Sequence, residues 1–250
     1  MKKKIKKTLR KLVSFLGYKI QKLETPTVQN ILSANYTMEA ALKRCVSRGL
    51  NINTIIDVGA SDGRWSRKLL SLFPNANFLL VEAQEGHKEG LETFKKDIVK
   101  GDYILAAAGE TDGKIYFNNK ELFGGVASLT KTGEHYIEVP VISIDNEVER
   151  KSISGPFLLK LDTHGFEVPI LKGAREVIKK ASLIIIEVYN YNIAKDSLCF
   201  WQMCEYMDKL GFRPIEMVDP MIRLYDKSFW QMDLFFIPKS DKAFKYIKYR

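Results

Sequence analysis

Cysteine is scarce, with three in 250 residues. Cys45, Cys199 and Cys204 are odd in number and lack zinc-type pairing, so they read as ordinary thiols of a reducing compartment and not as a disulfide scaffold or a structural zinc site. Long apolar runs are missing as well: nowhere do about eighteen consecutive apolar residues occur to span a bilayer. A secretory signal is not expected, because Lys19 and Lys22 interrupt the early apolar run and no small-residue cleavage site follows. Internal repeats and low-complexity segments are absent beyond a lysine-rich start. Acidic residues are lacking from positions 1–22, which hold nine basic ones.

That last absence localises the charge. The chain carries 39 Lys and Arg against 30 Asp and Glu, a net +9. With the nine basic residues of the start set aside, the remaining body is formally neutral. A basic groove laced with Arg and aromatics is not visible in it, so a nucleic-acid partner is not expected. The start also has an apolar stripe, Ile5, Leu9, Leu12, Val13, Leu16, Ile20 and Leu23, spaced by threes and fours. A basic amphipathic helix over residues 1–24 suits an anionic membrane surface, where each nearby Lys or Arg adds about 1 kcal/mol. The alternative is a stripe packed on the protein's own body under a solvated lysine face. The expected location is cytoplasmic, at or near the inner membrane face.

A composition 46% hydrophobic over 250 residues is enough for a full core and implies one α/β domain with appendages. Its centre is Thr54 to Trp65. Thr-Ile-Ile-Asp-Val reads as a buried strand, Gly59, Ala60, Ser61, Asp62 and Gly63 as a tight turn, and Arg64 to Phe73 as a helix. Unpaired N–H groups are expected to point outward from such a junction, with glycine letting a ligand come close. A second strand, Asn77 to Ala83, ends near Glu82, about twenty residues past the turn, where an acidic side chain meets ribose hydroxyls in nucleotide-binding folds. The dinucleotide fingerprint itself is not present: glycine would be needed at 61 and 64, where Ser61 and Arg64 stand.

Ile56-Asp57-Val58-Gly59-Ala60-Ser61-Asp62-Gly63 resembles motif I of the class I S-adenosylmethionine (SAM) methyltransferases. Leu159-Lys160-Leu161-Asp162-Thr163-His164-Gly165-Phe166-Glu167, followed by Ile170-Leu171-Lys172-Gly173-Ala174, resembles the signature of the FkbM family of O-methyltransferases. With Val139-Pro140-Val141 before Ile144-Asp145, the likeness covers roughly residues 50–190. The commonest family pattern has Glu where this chain has His164. The resemblance implies a doubly wound, mostly parallel seven-stranded sheet with an antiparallel last strand, SAM as cofactor, and transfer to hydroxyls of secondary metabolites or sugars.

Along the chain, Glu24 to Ser33 reads as a connector within a segment 25–50 that precedes the domain. Thr37 to Arg48 reads as a helix capped by Thr37 and closed by Gly49. His87 to Lys96 is a polar helix, and Asp102 to Ala107 a third strand running into Ala108-Gly109; these small residues, with Ala107, either leave room for a flat ring such as adenine or simply pack tightly. Lys114 to Asn118 and Tyr136 to Ile144 alternate as a β-hairpin insertion at the edge or over the site. Phe157 to Asp162, Phe166 to Lys180 and Leu183 to Val188 follow as strand, helix and strand. A helix from Leu198 to Leu210, strands near Arg213 to Met217 and Met232 to Ile237, and a basic tail from 241 complete a domain set at 51–240.

In an open parallel sheet, ligands bind beyond the carboxyl ends of strands where strand order reverses. If the first and fourth strands flank that point, the Gly59–Gly63 turn, Glu82, Asp162 and His164 share one crevice. Asp57 is expected either to hold the turn through its amides or to face the cofactor's amino group. His164 is the leading candidate for the base that takes the acceptor's proton, and Asp162 is the second, or the group that orients His164. A metal is not implied, although Asp162, His164 and Glu187 can converge on a divalent ion. Two other readings are distinguishable: a non-catalytic SAM- or glycan-binding module, and an α/β-hydrolase with Ser61 in a G-x-S-x-G elbow. The hydrolase needs a late histidine, which the three present, His87, His135 and His164, do not supply.

Overall fold

In the computed structural model, residues 34–131 and 133–249 are described. The basic helix expected over 1–24 and the connector to Ser33 lie outside the described residues. The fold below is that of the unit Tyr36–Arg250. Helix α1 (Met38–Ser47) starts where the Thr37 hydroxyl accepts the Ala40 N–H. It ends at Gly49, whose left-handed φ of +91° leaves its Cβ position in open space. Strand β1 (Thr54–Val58) is buried at every position, then α2 (Arg64–Leu69) and β2 (Asn77–Glu82) follow. A short turn at Glu85–His87 leads into α3 (Lys88–Asp97).

The third strand departs from expectation. It divides into β3 (Gly101–Leu105) and β4 (Ala107–Ala108), which belong to different sheets. The insertion is also larger than a hairpin. Strands β5 (Gly113–Asn118), β6 (Val126–Ser128) and β7 (Tyr136–Ile142) join β4 in a four-stranded sheet ordered β4-β7-β5-β6. Where the sequence reading carries that last strand to Ile144, a helix, α4 (Ile144–Arg150), begins instead.

Strand β8 (Phe157–Leu161) is wholly buried. The single helix expected over 166–180 is two, α5 (Glu167–Lys172) and α6 (Arg175–Lys179), broken at Gly173. A Cβ on Gly173 would lie 2.0 Å from the Gly109 carbonyl oxygen, so the chain passes there only as glycine. Strand β9 (Ala181–Tyr189), α7 (Phe200–Lys209), β10 (Phe212–Ile222) and β11 (Phe229–Pro238) complete the domain.

The main sheet has seven strands in the order β10-β11-β9-β8-β1-β2-β3. Strand β11 alone runs antiparallel to both its neighbours. Residue alternation sends Ile56, Leu159 and Ile184 to one face, against α5, α6 and α7. Ile55, Leu158 and Ile185 go to the other, against α1, α2 and α3. Two buried faces explain the near-continuous apolar strands. Strand order reverses between β1 and β8, so the turns after β1, β2 and β8 gather at one edge. Among the described residues no helix is long and apolar enough to cross a membrane.

Candidate active site

Beyond β1 the chain turns through Gly59 (φ +79°), Ser61 (φ 54°) and Gly63 (φ +79°). Left-handed geometry at a non-glycine such as Ser61 is uncommon and concentrates at functional turns. A Cβ on Gly59 would sit 2.0 Å from the Asp162 carbonyl oxygen, and the Asp162 N–H donates to the Val58 carbonyl at 3.0 Å. The turns after β1 and β8 are thereby fastened together.

Four of the five amides of the Gly59–Gly63 turn are not free, where the sequence suggested unpaired ones. Gly59 and Ala60 donate to the Val81 carbonyl at 2.9 and 3.2 Å, and Gly63 donates to Ala60 at 2.9 Å. Ser61 donates to Glu82 Oε2 at 2.8 Å, and Arg64 to Asp62 Oδ1 at 3.1 Å. Buried backbone donors find partners wherever the fold supplies them, and here β2 does. What the turn offers is close approach. Helix α2, only six residues long, adds no substantial dipole.

A cavity of about 310 Å³ opens beside the turn. Gly59, Ser61 and Glu82 line it on one side and Asp162, His164 and Glu187 on another, with Ala106, Ala107 and Ala108 as a small-residue wall. Glu82 is 6% exposed, with Oε2 on Ser61 and Oε1 accepting the Gln84 N–H at 2.9 Å. The other four residues of the expected cofactor set lie elsewhere. Asp57 is fully buried and accepts the Ser66 hydroxyl at 2.7 Å, so it neither holds the turn's amides nor borders this cavity. Ala60 is core, Gly63 packs under Phe94 and Leu80, and Asp62 is taken by Arg64.

The insertion forms the remaining wall, over the site and not merely at the sheet edge. Phe117 and Ala127 line the cavity, and the loop at Glu121–Gly125 is held down from below. Gln84 Nε2 donates to the Glu121 and Leu122 carbonyls at 3.1 and 3.0 Å, and His87 Nε2 to Leu122 at 2.8 Å. The His87 ring packs 5.0 Å from Phe123, which the Arg64 guanidinium covers at 5.0 Å. Sequence reasoning missed Gln84, His87 and Phe123, because their partners are some 35 residues away.

Beneath Asp162 stands a fourth missed residue. Lys160, 3% exposed, lies among apolar neighbours on β8. Its ammonium is 2.8 Å from Asp162 Oδ2, 3.8 Å from Asp57 Oδ1 and 5.1 Å from the Trp65 ring centre. Burial alone would lower the Lys160 pKa, but Asp162 and Asp57 raise it and keep the ammonium charged. Burial would raise Asp162; Lys160 outweighs it and holds the carboxyl below its ordinary range. Burial pushes Asp57 up.

His164 is also left-handed (φ 51°) and is followed by Gly165 at +97°. Its Nδ1 is 2.8 Å from the Tyr189 hydroxyl and 3.2 Å from Glu187 Oε2. Tyr189 gives its own proton to Glu187, and Gln231 Nε2 donates to the other Glu187 oxygen. With the Tyr189 proton spent, its oxygen accepts from Nδ1–H, and Nε2 is left with the lone pair. Burial would lower the His164 pKa, yet the hydrogen bond and charge of Glu187 raise it above the ordinary 6.5. Asp162, His164 and Glu187 do converge, each with a ligand atom within 4.8 Å of the others. Each also has a protein partner already: Lys160, Tyr189 and Gln231 respectively.

The elbow reading of Ser61 finds no support in this geometry. Its hydroxyl lies 3.4 Å from both ring nitrogens of His87, whose Nε2 is spent on a carbonyl and not aligned by a carboxylate.

A mostly parallel seven-stranded sheet with an antiparallel member, covered by helices on both faces and with its turns gathered at the reversal of strand order, is the class I methyltransferase architecture. The sequence matches the methyltransferase FkbM domain over residues 57–214, and the chain belongs to that family. A search of curated proteins finds no match. Among solved structures, the FkbM methyltransferase of Methylobacillus flagellatus KT is 16% identical with a TM-score of 0.49, over 73% of this chain and 43% of that one. This chain therefore spans less than half the length of that relative. A precorrin-6y C5,15-methyltransferase from Geobacter metallireducens GS-15 is 12% identical (TM-score 0.45; 81% and 88% covered). Aeropyrum pernix fibrillarin, solved with natively bound S-adenosyl-L-methionine, is 9% identical (TM-score 0.43; 74% and 66% covered).

Proposed function

We propose that this chain is a SAM-dependent O-methyltransferase acting on a hydroxyl of a small molecule or glycan, a sugar ring being the favoured acceptor. The observation that carries the reading is the single cavity bordered at once by the Gly59–Ser61 turn, the Glu82 carboxylate and the Asp162–His164 loop. Its residues suit the cofactor. Both Glu82 oxygens keep a lone pair for ribose hydroxyls after accepting one amide each, and Ala106–Ala108 leave space for a flat ring. SAM supplies, when bound, a methyl group on a good leaving group. The protein's part is alignment and removal of one proton. His164 Nε2 takes the acceptor's proton while Tyr189 and Glu187 hold the ring through Nδ1. Asp162, fixed by Lys160, orients the hydroxyl.

A formally neutral body supports an uncharged acceptor over a nucleic acid. The basic, amphipathic pattern of residues 1–24 supports attachment to an anionic membrane surface on the cytoplasmic side. Calorimetric titration with S-adenosylhomocysteine, paired with transfer of labelled methyl from SAM to a glycoside panel, tests the reading. Binding with turnover is expected; binding to the chain with turnover on no acceptor favours the binding-module alternative, and absence of nucleoside binding refutes both the enzyme and a SAM-binding module.

A further inference from the structure

A second cavity, of about 610 Å³, lies on the other face of the sheet, between α1, α2 and the ends of β8, β10 and β11. The first cavity borders Val58, Val81 and Ile170 of one core, the second Leu42 and Leu69 of the other. Among the described residues Asp162 alone lines both. We propose that this second cavity is the acceptor subsite, taking an uncharged ring that carries several hydroxyls and presenting one of them across Asp162; the proposal rests on the methyl-transfer reading above.

The polar groups of its wall are incompletely used by the protein. Trp65 lines the cavity, and its indole N–H is buried with no hydrogen-bond acceptor among the described residues. Native folds rarely leave such a donor unpaired, and a ligand acceptor is one way to satisfy it. The Lys160 ammonium has three hydrogens, and among the described residues only Asp162 is within hydrogen-bond distance; Asp57 stands off at 3.8 Å. Opposite these donors lie acceptors. The Asp233 carboxyl makes no hydrogen bond among the described residues, and Asp219 uses one oxygen on the Met38 N–H at 3.2 Å. The floor is apolar, with Leu42, Leu69 and Leu72.

This mixture selects a ligand class. Lys43, paired with Glu39 at 2.5 Å, and the exposed Lys68 also line the cavity, yet a phosphate or carboxylate seated at its inner end would face Asp162, Asp219 and Asp233, and an ammonium would compete with Lys160 for the same oxygens. Hydroxyls both donate and accept, so a neutral polyol satisfies indole, ammonium and carboxyl together, and the C–H face of its ring covers the leucines. The position also suits the chemistry. Asp162 lines both cavities, and His164 stands two residues further along the same loop on the nucleoside side. A ring seated behind Asp162 thus offers its oxygen to both groups from the side opposite the nucleoside.

The test uses the full chain. Ligand-observed NMR follows a panel of methyl hexopyranosides with S-adenosylhomocysteine present, while calorimetry follows S-adenosylhomocysteine itself. At least one glycoside is expected to bind. Trp65→Phe, which keeps the ring and removes the N–H, and Asp233→Asn should each weaken glycoside binding by about tenfold, the scale of one lost hydrogen bond. Affinity for S-adenosylhomocysteine should stay within about twofold in both, well inside that scale. Normal nucleoside binding with no glycoside bound, or with both variants binding glycoside as the parent does, overturns the subsite. Loss of nucleoside binding by the parent chain defeats the methyl-transfer reading, and the acceptor role with it.

Discussion

Glu82 does two jobs with one carboxylate. It fixes the Ser61 and Gln84 amides and borders the cavity proposed to take the cofactor's ribose. Glu82→Ala should weaken S-adenosylhomocysteine binding by at least about tenfold, since hydrogen bonds to a charged group are worth about 1.5–3 kcal/mol. Binding unchanged by calorimetry would exclude the ribose assignment. His164 makes a different demand, because its backbone is left-handed. Asparagine tolerates that geometry, so His164→Asn separates chemistry from folding: kcat should fall by about 10²–10⁴, the usual contribution of a general base, with nucleoside affinity kept. A base must be unprotonated to act, and the His164 pKa is raised above 6.5. The acid limb of the kcat/KM profile is therefore expected above that value and should vanish in the variant. Activity that survives chelation by EDTA would accord with proton transfer at His164 without a metal; abolition by EDTA would reassign Asp162, His164 and Glu187 as ligands.

At the scale of elements, β8 carries the strongest test of packing. Its Lys160 neutralises the buried Asp57 and the partly exposed Asp162. Lys160→Met fits the volume but leaves them uncompensated, and breaking a buried pair from one side costs about 3–5 kcal/mol. A fall in Tm measured by calorimetry is expected, smaller when Asp57→Asn is added. The main sheet was legible because β1, β2, β8 and β9 are short apolar runs bounded by turn residues, and Glu82 because its distance from the turn is set by one strand–helix–strand unit. Other features were not. Ala106 is followed by two more alanines with no turn signal, so nothing local marks the change of sheet at β4. Gly173 looks like a glycine a helix would tolerate; its role comes from the Gly109 carbonyl, 64 positions away in sequence. Lys160 was quoted within a motif yet passed over as a charge inside a fully buried strand, a placement that itself signals partners. Gln84 and His87 act through Leu122, a contact only the folded insertion creates.

Across the whole molecule, charge is divided between a basic start and a neutral body. The full chain should sediment with anionic vesicles at low salt and release as salt rises, and replacing Lys2, Lys3, Lys4, Lys6 and Lys7 by glutamine should abolish that binding. Equal sedimentation of the substituted chain would place the membrane contact elsewhere. Stability is expected to decline as pH rises through neutrality, for two reasons of the same sign. Burial pushes the Asp233 pKa from 3.8 up to about 7, so ionising it opposes the folded state increasingly from pH 3.8 upward, with the full penalty reached above 7. The raised pKa of His164 favours the folded state below 6.5, and that benefit is lost as pH rises through the folded value. Asp233→Asn should flatten the first part of this decline in thermal melts.

With the acceptor seated as proposed, the partition at Asp162 would also govern traffic: two cavities that share only that residue among those described would let neither guest have to leave before the other enters. The alcohol should therefore bind the nucleoside-free chain nearly as well as the loaded one, and catalysis should proceed with no compulsory order of arrival or departure.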